Sequence, residues 1–535
     1  MCCALLLTAF LGCKPELKLD SDFDIPQNKS LNTANGLENA LQSAYALLRS
    51  KDNFGGAWII WPEIMADQVI YNPGSPVSTP ELNIFRRNIQ PTDSIIVNSW
   101  RNAYRAIAIC NSILRACDEG KISDADFQSN KPRFVGEARF LRALVYFHLV
   151  RFFAPQYDES TKNVPAIPLP TIYFDELRNE QLASVSDVYN LILSDFKSSI
   201  ENLTQAGRIQ NSTTEEEFKL GGGLPVFNRP TVHIARGFLA KVYAQMDSKL
   251  YANEIIDEIN QIFEDKPNDS LDLANHGPPD RTERYFPQPY PLFGIGKSAL
   301  NGMFSSNFGR GTAVSYNNRY ESMFSMMNSG DFEDGLNTFN YISRRFTYIP
   351  ESPAFNTKVP FVPTVNIDVL NRRRYDLRFS TFFARSSAAT QIYLNGSVVG
   401  RFILIKYQGD YVNIPLLRSA DLLLLRAEAR IQKGELKRSI YDLGFVVFRS
   451  IYVKTNDSIQ RLYAGANAGN KAYFFRRLVD ERQREFYLEG DRLHTLRRLK
   501  LEIPQSERGS SIPWTAPELI FPIPVSETSS NTKLN

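Results

Sequence analysis

Residues 131–154 read KPRFVGEARFLRALVYFHLVRFFA, and this stretch decides the architecture. Pro132 suits the first turn of a helix and Pro155 stops one. Between them Phe134, Ala138, Leu141, Val145 and Phe152 make one apolar stripe at helical spacing, and Phe140, Leu144 and Phe147 make a second. A helix with two apolar faces must be covered on two sides, so it belongs inside a layered helical array. Gly136, Ala138 and Ala143 are small enough to let neighbouring helices approach closely, as in stacked helix pairs. The polar remainder, Glu137, Arg139, Arg142 and Arg151, is expected to form a structural set of ion pairs.

The same period recurs on both sides. Thr33–Arg49 spaces Leu37, Leu41, Ala44, Leu47 and Leu48 three or four apart behind a Ser30 or Thr33 cap, and Trp100–Cys117 aligns Tyr104, Ile107, Asn111 and Leu114, so the two are expected to pair as a helical hairpin. Further helices are predicted over 186–203, 232–246, 251–263, 414–433, 436–449 and 471–498. The fold class is mostly α, a tetratricopeptide-like scaffold of helical pairs with long irregular loops and a few short strands, although no fixed repeat period is readable. Residues 55–89 form an excursion rich in aromatics, Pro and Gly. Residues 268–408 lose the 3.6-residue period altogether, and segments of such length are usually functional or wrapped on a scaffold. Within them Asn395-Gly396 predicts a hairpin turn between strands near 391–394 and 402–407.

The first residues, 1–12, read as a secretory signal. The apolar run Ala4–Leu11 is far too short to span a bilayer, and Phe10-Leu11-Gly12-Cys13 resembles a bacterial lipobox with Cys13 as the lipidated residue. Phe10 replaces the usual Leu and no Lys or Arg occurs in 1–12, so Met1 is expected to lie inside a longer signal with a basic start. The polar, acidic residues 13–30 then act as a tether from the membrane. With 535 residues, 43% of them hydrophobic, the chain can bury a large core. Sixty-one basic against fifty-eight acidic residues gives +3, which supplies no electrostatic drive towards nucleic acid. Cys110 and Cys117, seven apart on one helix, are separated by about 10 Å of rise, beyond the roughly 7 Å that a disulfide allows between Cα atoms. His148, His233, His276 and His494 are scattered, so neither a metal site nor a cofactor is expected.

Several stretches taken in order resemble one family, the SusD/RagB outer-membrane nutrient-binding lipoproteins of Bacteroidota. The carriers are Gly136–Ala143 (GEARFLRA) with Tyr146-Phe147, Arg418–Ala429 (RSADLLLLRAEA), Glu481–Arg498 (ERQREFYLEGDRLHTLRR), and Leu519–Pro524 (LIFPIP) followed by Glu527 and Asn531. Trp100, Tyr104, Asn111, Pro230–Tyr243, Asp376 and Arg378 support them, and the resemblance runs over residues 13–535. It departs at 442–449, where DLGFVVFR replaces the family's Asn-x-Val-Arg run. The resemblance implies a single domain over 31–535, with an N-terminal part at 31–226, helical scaffold at 227–267 and 409–535, and a ligand-face insertion at 268–408. It also implies a cell-surface protein without catalytic activity. Such a protein captures a glycan, or a peptide in the RagB-like alternative, and hands it to a SusC-like TonB-dependent transporter.

The residues themselves leave rivals to weigh. Glu481, Glu485 and Glu489 stand four apart with arginines between them, which could suggest acid and base work, but is more simply a salt-bridged face. A secreted glycoside hydrolase would need such a pair; no G-x-S-x-G or H-E-x-x-H is present. A passive scaffold for proteins would leave the aromatic loops without a purpose. A sugar offers apolar C–H faces ringed by hydroxyls, so its site needs flat aromatic rings and a few amides. The candidates for ligand binding are Tyr71, Asn72, Tyr290, Tyr316, Asn318 and Tyr320, with Asn317 beside them. Trp58 and Trp61 sit among isoleucines and are read as packed.

Overall fold

The computed structural model describes residues 31–66, 79–172, 180–208, 229–263, 413–449, 468–487, 489–504, 510–531 and 533, and the backbone of short strands at 69–71, 322–327, 346–348, 383–385, 392–394, 397–400 and 402–404. The helices are α1 (Ala34–Leu48), α2 (Ala57–Met65), α3 (Thr79–Arg86), α4 (Ser94–Asp118), α5 (Ala125–Phe153), α6 (Val185–Gln205), α7 (Val232–Asp247), α8 (Ala252–Phe263), α9 (Ser419–Lys433), α10 (Leu436–Arg449), α11 (Lys471–Glu485), α12 (Arg492–Arg498) and α13 (Val525–Ser530). The strands are β1 (Val69–Tyr71), β2 (Pro165–Pro168), β3 (Leu182–Ser184), β4 (Ser322–Met327), β5 (Phe346–Tyr348), β6 (Phe383–Arg385), β7 (Ile392–Leu394), β8 (Ser397–Gly400), β9 (Phe402–Leu404) and β10 (Asn413–Arg418), and they join in antiparallel pairs. Successive helices pack in layers. α1 lies on α4, α4 on α5, α5 on α6, α6 on α7, α7 on α8, α8 on α9, and α9 on both α10 and α11. This is the mostly α scaffold of helical pairs that the hydrophobic periods predict.

Helix α5 is covered on both faces, as its two stripes require. Phe140 meets Phe196 of α6 and Phe238 of α7 edge-on, with both ring centroids 5.6 Å away. Its start differs from the expected one: the helix begins at Ala125, where the Asp124 carboxylate accepts the Asp126 N–H, and Pro132 lies inside it. The proline costs one hydrogen-bonded rung, but at half-buried positions near the N-terminal end, while the turns that follow are almost wholly buried. A Cβ added at Gly136 would stand 2.9 Å from Leu203 Cγ and 3.2 Å from the Leu203 backbone nitrogen. Small residues therefore do permit the α5–α6 approach. The Gly136→Val chain is expected to lose about 1–3 kcal/mol through overpacking, read as a lower urea midpoint, and an unmoved midpoint would show that this approach is not tight.

Helix α9 divides two cores. Leu422, Leu425 and Ala429 join the main cluster, which runs from Leu31 to Phe521, while Ala420, Leu424, Ala427 and Ile431 join a second with Ile440 and Leu443 of α10 and Phe474 and Leu478 of α11. The same helix carries three buried charges, each answered by a different element. Asp421 accepts from Lys241 of α7 at 2.6 Å and from Arg482 of α11 at 2.8 Å. Arg426 takes Asp442 of α10 at 2.8 Å, and Glu428 takes both terminal nitrogens of Arg498 of α12. Asp442 belongs to the stretch that departs from the family pattern, and there the chain is a regular helix.

Three further sequence expectations change. Residues 414–418 belong not to a helix but to β10, antiparallel to β4, because Pro415 suits an extended segment and α9 starts only at Ser419. The period over 471–498 breaks after Glu485, and Gly490 turns the chain into α12 with φ +78°. A Cβ there would meet the Ile59 backbone at 3.1 Å, so the turn presses on α2. The turn expected at Asn395-Gly396 lies outside the described residues; the strand before it, β7, pairs with β8, Leu394 opposite Ser397, and β9 pairs with β6 instead. A two-residue turn brings the immediately following residues into register, so 402–404 is too far along to close that hairpin.

The C-terminal stretch returns to the first helices. Phe521 packs against Trp61, Phe152 and Phe153, and its N–H donates to the Phe152 carbonyl at 2.8 Å. Asn531 donates to the Glu180 carbonyl at 2.8 Å, and the Trp100 indole N–H donates to Glu527 at 3.3 Å. Among the described residues no helix is long and apolar enough to cross a membrane.

Candidate functional site

Of the residues expected to bind ligand, Tyr71 lies in a described element. It ends β1, which pairs antiparallel with β5, Tyr71 standing opposite Phe346 and Val69 opposite Tyr348. A strand that follows α2 is thereby tied to the long segment 268–408. Asn72, Tyr290, Tyr316, Asn317, Asn318 and Tyr320 lie outside the described residues, as does Cys13. Strand β4 begins two residues after Tyr320 and pairs with β10, which leads straight into α9.

Trp58 and Trp61 are buried. The Trp58 indole N–H donates to Ser99 Oγ at 2.7 Å, and its ring stacks on His148 with centroids 5.1 Å apart and planes 7° from parallel. Neither can serve as an exposed sugar platform. Cys110 and Cys117 are free and buried, and burial pushes both thiols up to about 12, which removes them from thiolate chemistry.

The ERQREFYLEGDR segment is a structural device. Glu485 and Glu489 both bind Arg418, at 2.9 and 2.8 Å, and Arg482 bridges Asp421 and Asp491, at 2.8 and 2.6 Å. Glu489 lies beyond the end of α11, so the three glutamates do not share one helix face. Glu63 of α2, fully buried, accepts the Asp491 N–H at 2.9 Å and the Arg492 N–H at 3.3 Å, capping the start of α12 from across the fold. Burial alone would push the Asp421 carboxyl up, but the Lys241 ammonium and the Arg482 guanidinium hold it well below the usual carboxylate range.

Arg418, Asp421, Arg482, Glu489 and Asp491 line a polar cavity of about 60 Å³, with Trp58, Phe147, Arg151, Lys241 and His494 also in its wall. Pockets that enclose organic ligands run to about 300–1,000 Å³, so this cavity does not hold a sugar chain. Sequence reading did not find it. Its charged lining is contributed by residues from 151 to 498, and no local spacing signals that they meet.

Layered helix pairs bearing a long inserted segment define a helical platform protein. Residues 17–244 match a SusD-like family described as starch-binding and associating with the outer membrane, and residues 383–535 match the SusD family. The chain belongs to the SusD family. A SusD-like protein of Bacteroides ovatus is 26% identical over 176 residues, 32% of this chain, and the match spans only 26% of that relative's length. Among solved structures, a SusD superfamily protein from Bacteroides thetaiotaomicron superposes with TM-score 0.63 at 18% identity, covering 94% of this chain and 99% of that one. A putative sugar binding protein from Bacteroides vulgatus gives TM-score 0.65 at 18% identity, covering 95% and 98%. At these identities the structures speak for the fold alone.

Proposed function

We propose that this protein captures an oligosaccharide at the cell surface and delivers it to a SusC-like TonB-dependent transporter, held to the outer membrane by lipid on Cys13 and carrying out no reaction of its own. The observation that carries this reading is the β1–β5 pairing, which joins the strand ending in Tyr71 to the aromatic-rich segment 268–408. Most of that segment lies between the two family matches, which end at 244 and resume at 383. A shared platform with its own inserted segment is the arrangement expected of a family that varies its ligand while keeping its scaffold. The starch-binding description of the matched family and the sugar-binding title of the Bacteroides vulgatus structure support a glycan as the ligand class.

The test is calorimetric titration of residues 14–535 against a panel of oligosaccharides and peptides, with Tyr71→Ala, Tyr316→Ala and Tyr320→Ala alongside. Saturable sugar binding without product is expected, weakened about tenfold, or about 1.4 kcal/mol, by at least one tyrosine change. Binding of peptides alone would replace glycan with peptide as the ligand, and turnover of any sugar would overturn the non-catalytic reading.

A further inference from the structure

The cavity beside α12 is lined by hydrogen-bond donors that its own walls do not answer. Lys241 and Arg482 share Asp421, Arg482 also takes Asp491, Arg418 takes Glu485 and Glu489, and Arg498 takes Glu428. Among the described residues Arg151, half-buried in the cavity wall, has no carboxylate partner. Its Nε donates to the Phe147 carbonyl at 3.2 Å and its guanidinium lies 4.3 Å from the centre of the Phe147 ring, which leaves the two terminal nitrogens without acceptors there. Two further wall residues have idle polar atoms: Arg482, 2% exposed, has no partner for Nη1, and His494, 3% exposed, has none for either ring nitrogen. Arg497, next in the chain to Arg498 and also buried, donates to the carbonyls of Arg151 and Ala154 and to no carboxylate among the described residues.

We propose that this cavity is a binding site for a small inorganic anion of the halide class, held by the Arg151 guanidinium with Arg482 and His494 as further donors. Buried donors without acceptors carry a desolvation cost, and the idle groups here are all nitrogens that can donate. One monovalent anion, which only accepts, answers them together, and a volume of about 60 Å³ accommodates it with water but excludes an organic ligand. A cation is disfavoured because each carboxylate in the wall is already paired. The site is separate from glycan capture, which the proposed function assigns to the aromatic-rich segment.

Bromide is the probe, since it substitutes for chloride and scatters anomalously. The native chain is melted in sodium bromide against sodium gluconate at matched ionic strength, and crystals grown in bromide are examined for an anomalous peak. A saturable rise in Tm is expected, with the folded-to-unfolded ratio about 100-fold higher at a bromide concentration about 100 times its midpoint. The response is expected to vanish in Arg151→Gln, and the peak to lie in the cavity. Coincident melts in the two salts, a crystal without a peak there, a peak unaccompanied by stabilisation in solution, or a glutamine chain that keeps the full response would each overturn the proposal. Should the glutamine chain not fold, the native chain's melts and map decide it.

Discussion

Asparagine in place of Asp195 is expected to destabilise the fold by about 3–5 kcal/mol, the usual cost of breaking one side of a buried ion pair. Asp195 is fully buried on α6 and receives Arg139 at 2.8 Å together with the Nε and Nη2 of one edge of the Arg142 guanidinium, at 2.7 and 2.8 Å. The substitution keeps the shape and removes the charge, so two arginines on α5 lose their counterion. Arg142 has a second duty: it donates to Asn111 Oδ1 at 2.7 Å and to the Thr171 carbonyl at 3.0 Å, while Asn111 and Tyr146 donate to the Pro170 carbonyl. Losing Asp195 should therefore loosen the 170–172 connection as well. Urea unfolding of Asp195→Asn, Arg142→Met and the double variant gives the coupling. A loss below about 1 kcal/mol in Asp195→Asn would show that the pair contributes little, as exposed pairs do.

Stability is also expected to fall as the pH drops below about 6.5, the ordinary histidine value. Burial holds His148 and His494 well below that value, with Arg151 adding to the effect on both, and burial followed by Arg236 pushes His233 down to about 4. The unfolded chain takes up these protons near its ordinary value while the folded chain refuses them. The stabilisation is thus complete above about pH 6.5 and is lost as the pH falls, at about 1.4 kcal/mol per pH unit for each such histidine. For His233 alone the loss approaches roughly 3 kcal/mol by about pH 4. Asp421 acts in the same direction in a lower window, because a carboxyl held low in the fold loses its stabilising effect only below its unfolded value near about 4. Urea unfolding at pH 8, 7, 6 and 5 in halide-free buffer measures the slope. His494→Phe, which keeps an aromatic ring against Phe152, should reduce it by one proton, and an unchanged slope would remove His494 from this account.

Elements whose signals are local were legible in the sequence, and those that needed a distant partner were not. The stripes of 131–154 sufficed for a helix covered on two sides, and Thr33 was found as the cap of α1, its Oγ1 accepting the Gly36 N–H at 3.1 Å. Pro132 misled because an interior proline is normally excluded, yet here long downstream packing tolerates it. The apolar run before Ser419 read as more helix although Pro415 favours an extended segment, and nothing local reveals that β4, far earlier in the chain, will pair with it. For the ligand site, sequence could name tyrosines suited to stacking, and the structure adds the pairing that ties Tyr71 to residues 346–348.

By itself the sequence determined the layered helices, the family and the class of side chain that a glycan face would need, because helical periodicity and stacking chemistry are properties of single segments. The tertiary structure alone decided which charges meet. Arg418 finds Glu485 and Glu489, Arg482 finds Asp421, and Glu63 reaches a backbone N–H 428 residues downstream, whereas Arg151 meets a carbonyl and a ring in place of a carboxylate. Ion pairing depends on distances of a few ångströms between segments far apart in the chain, and only the packing of helix upon helix sets those distances.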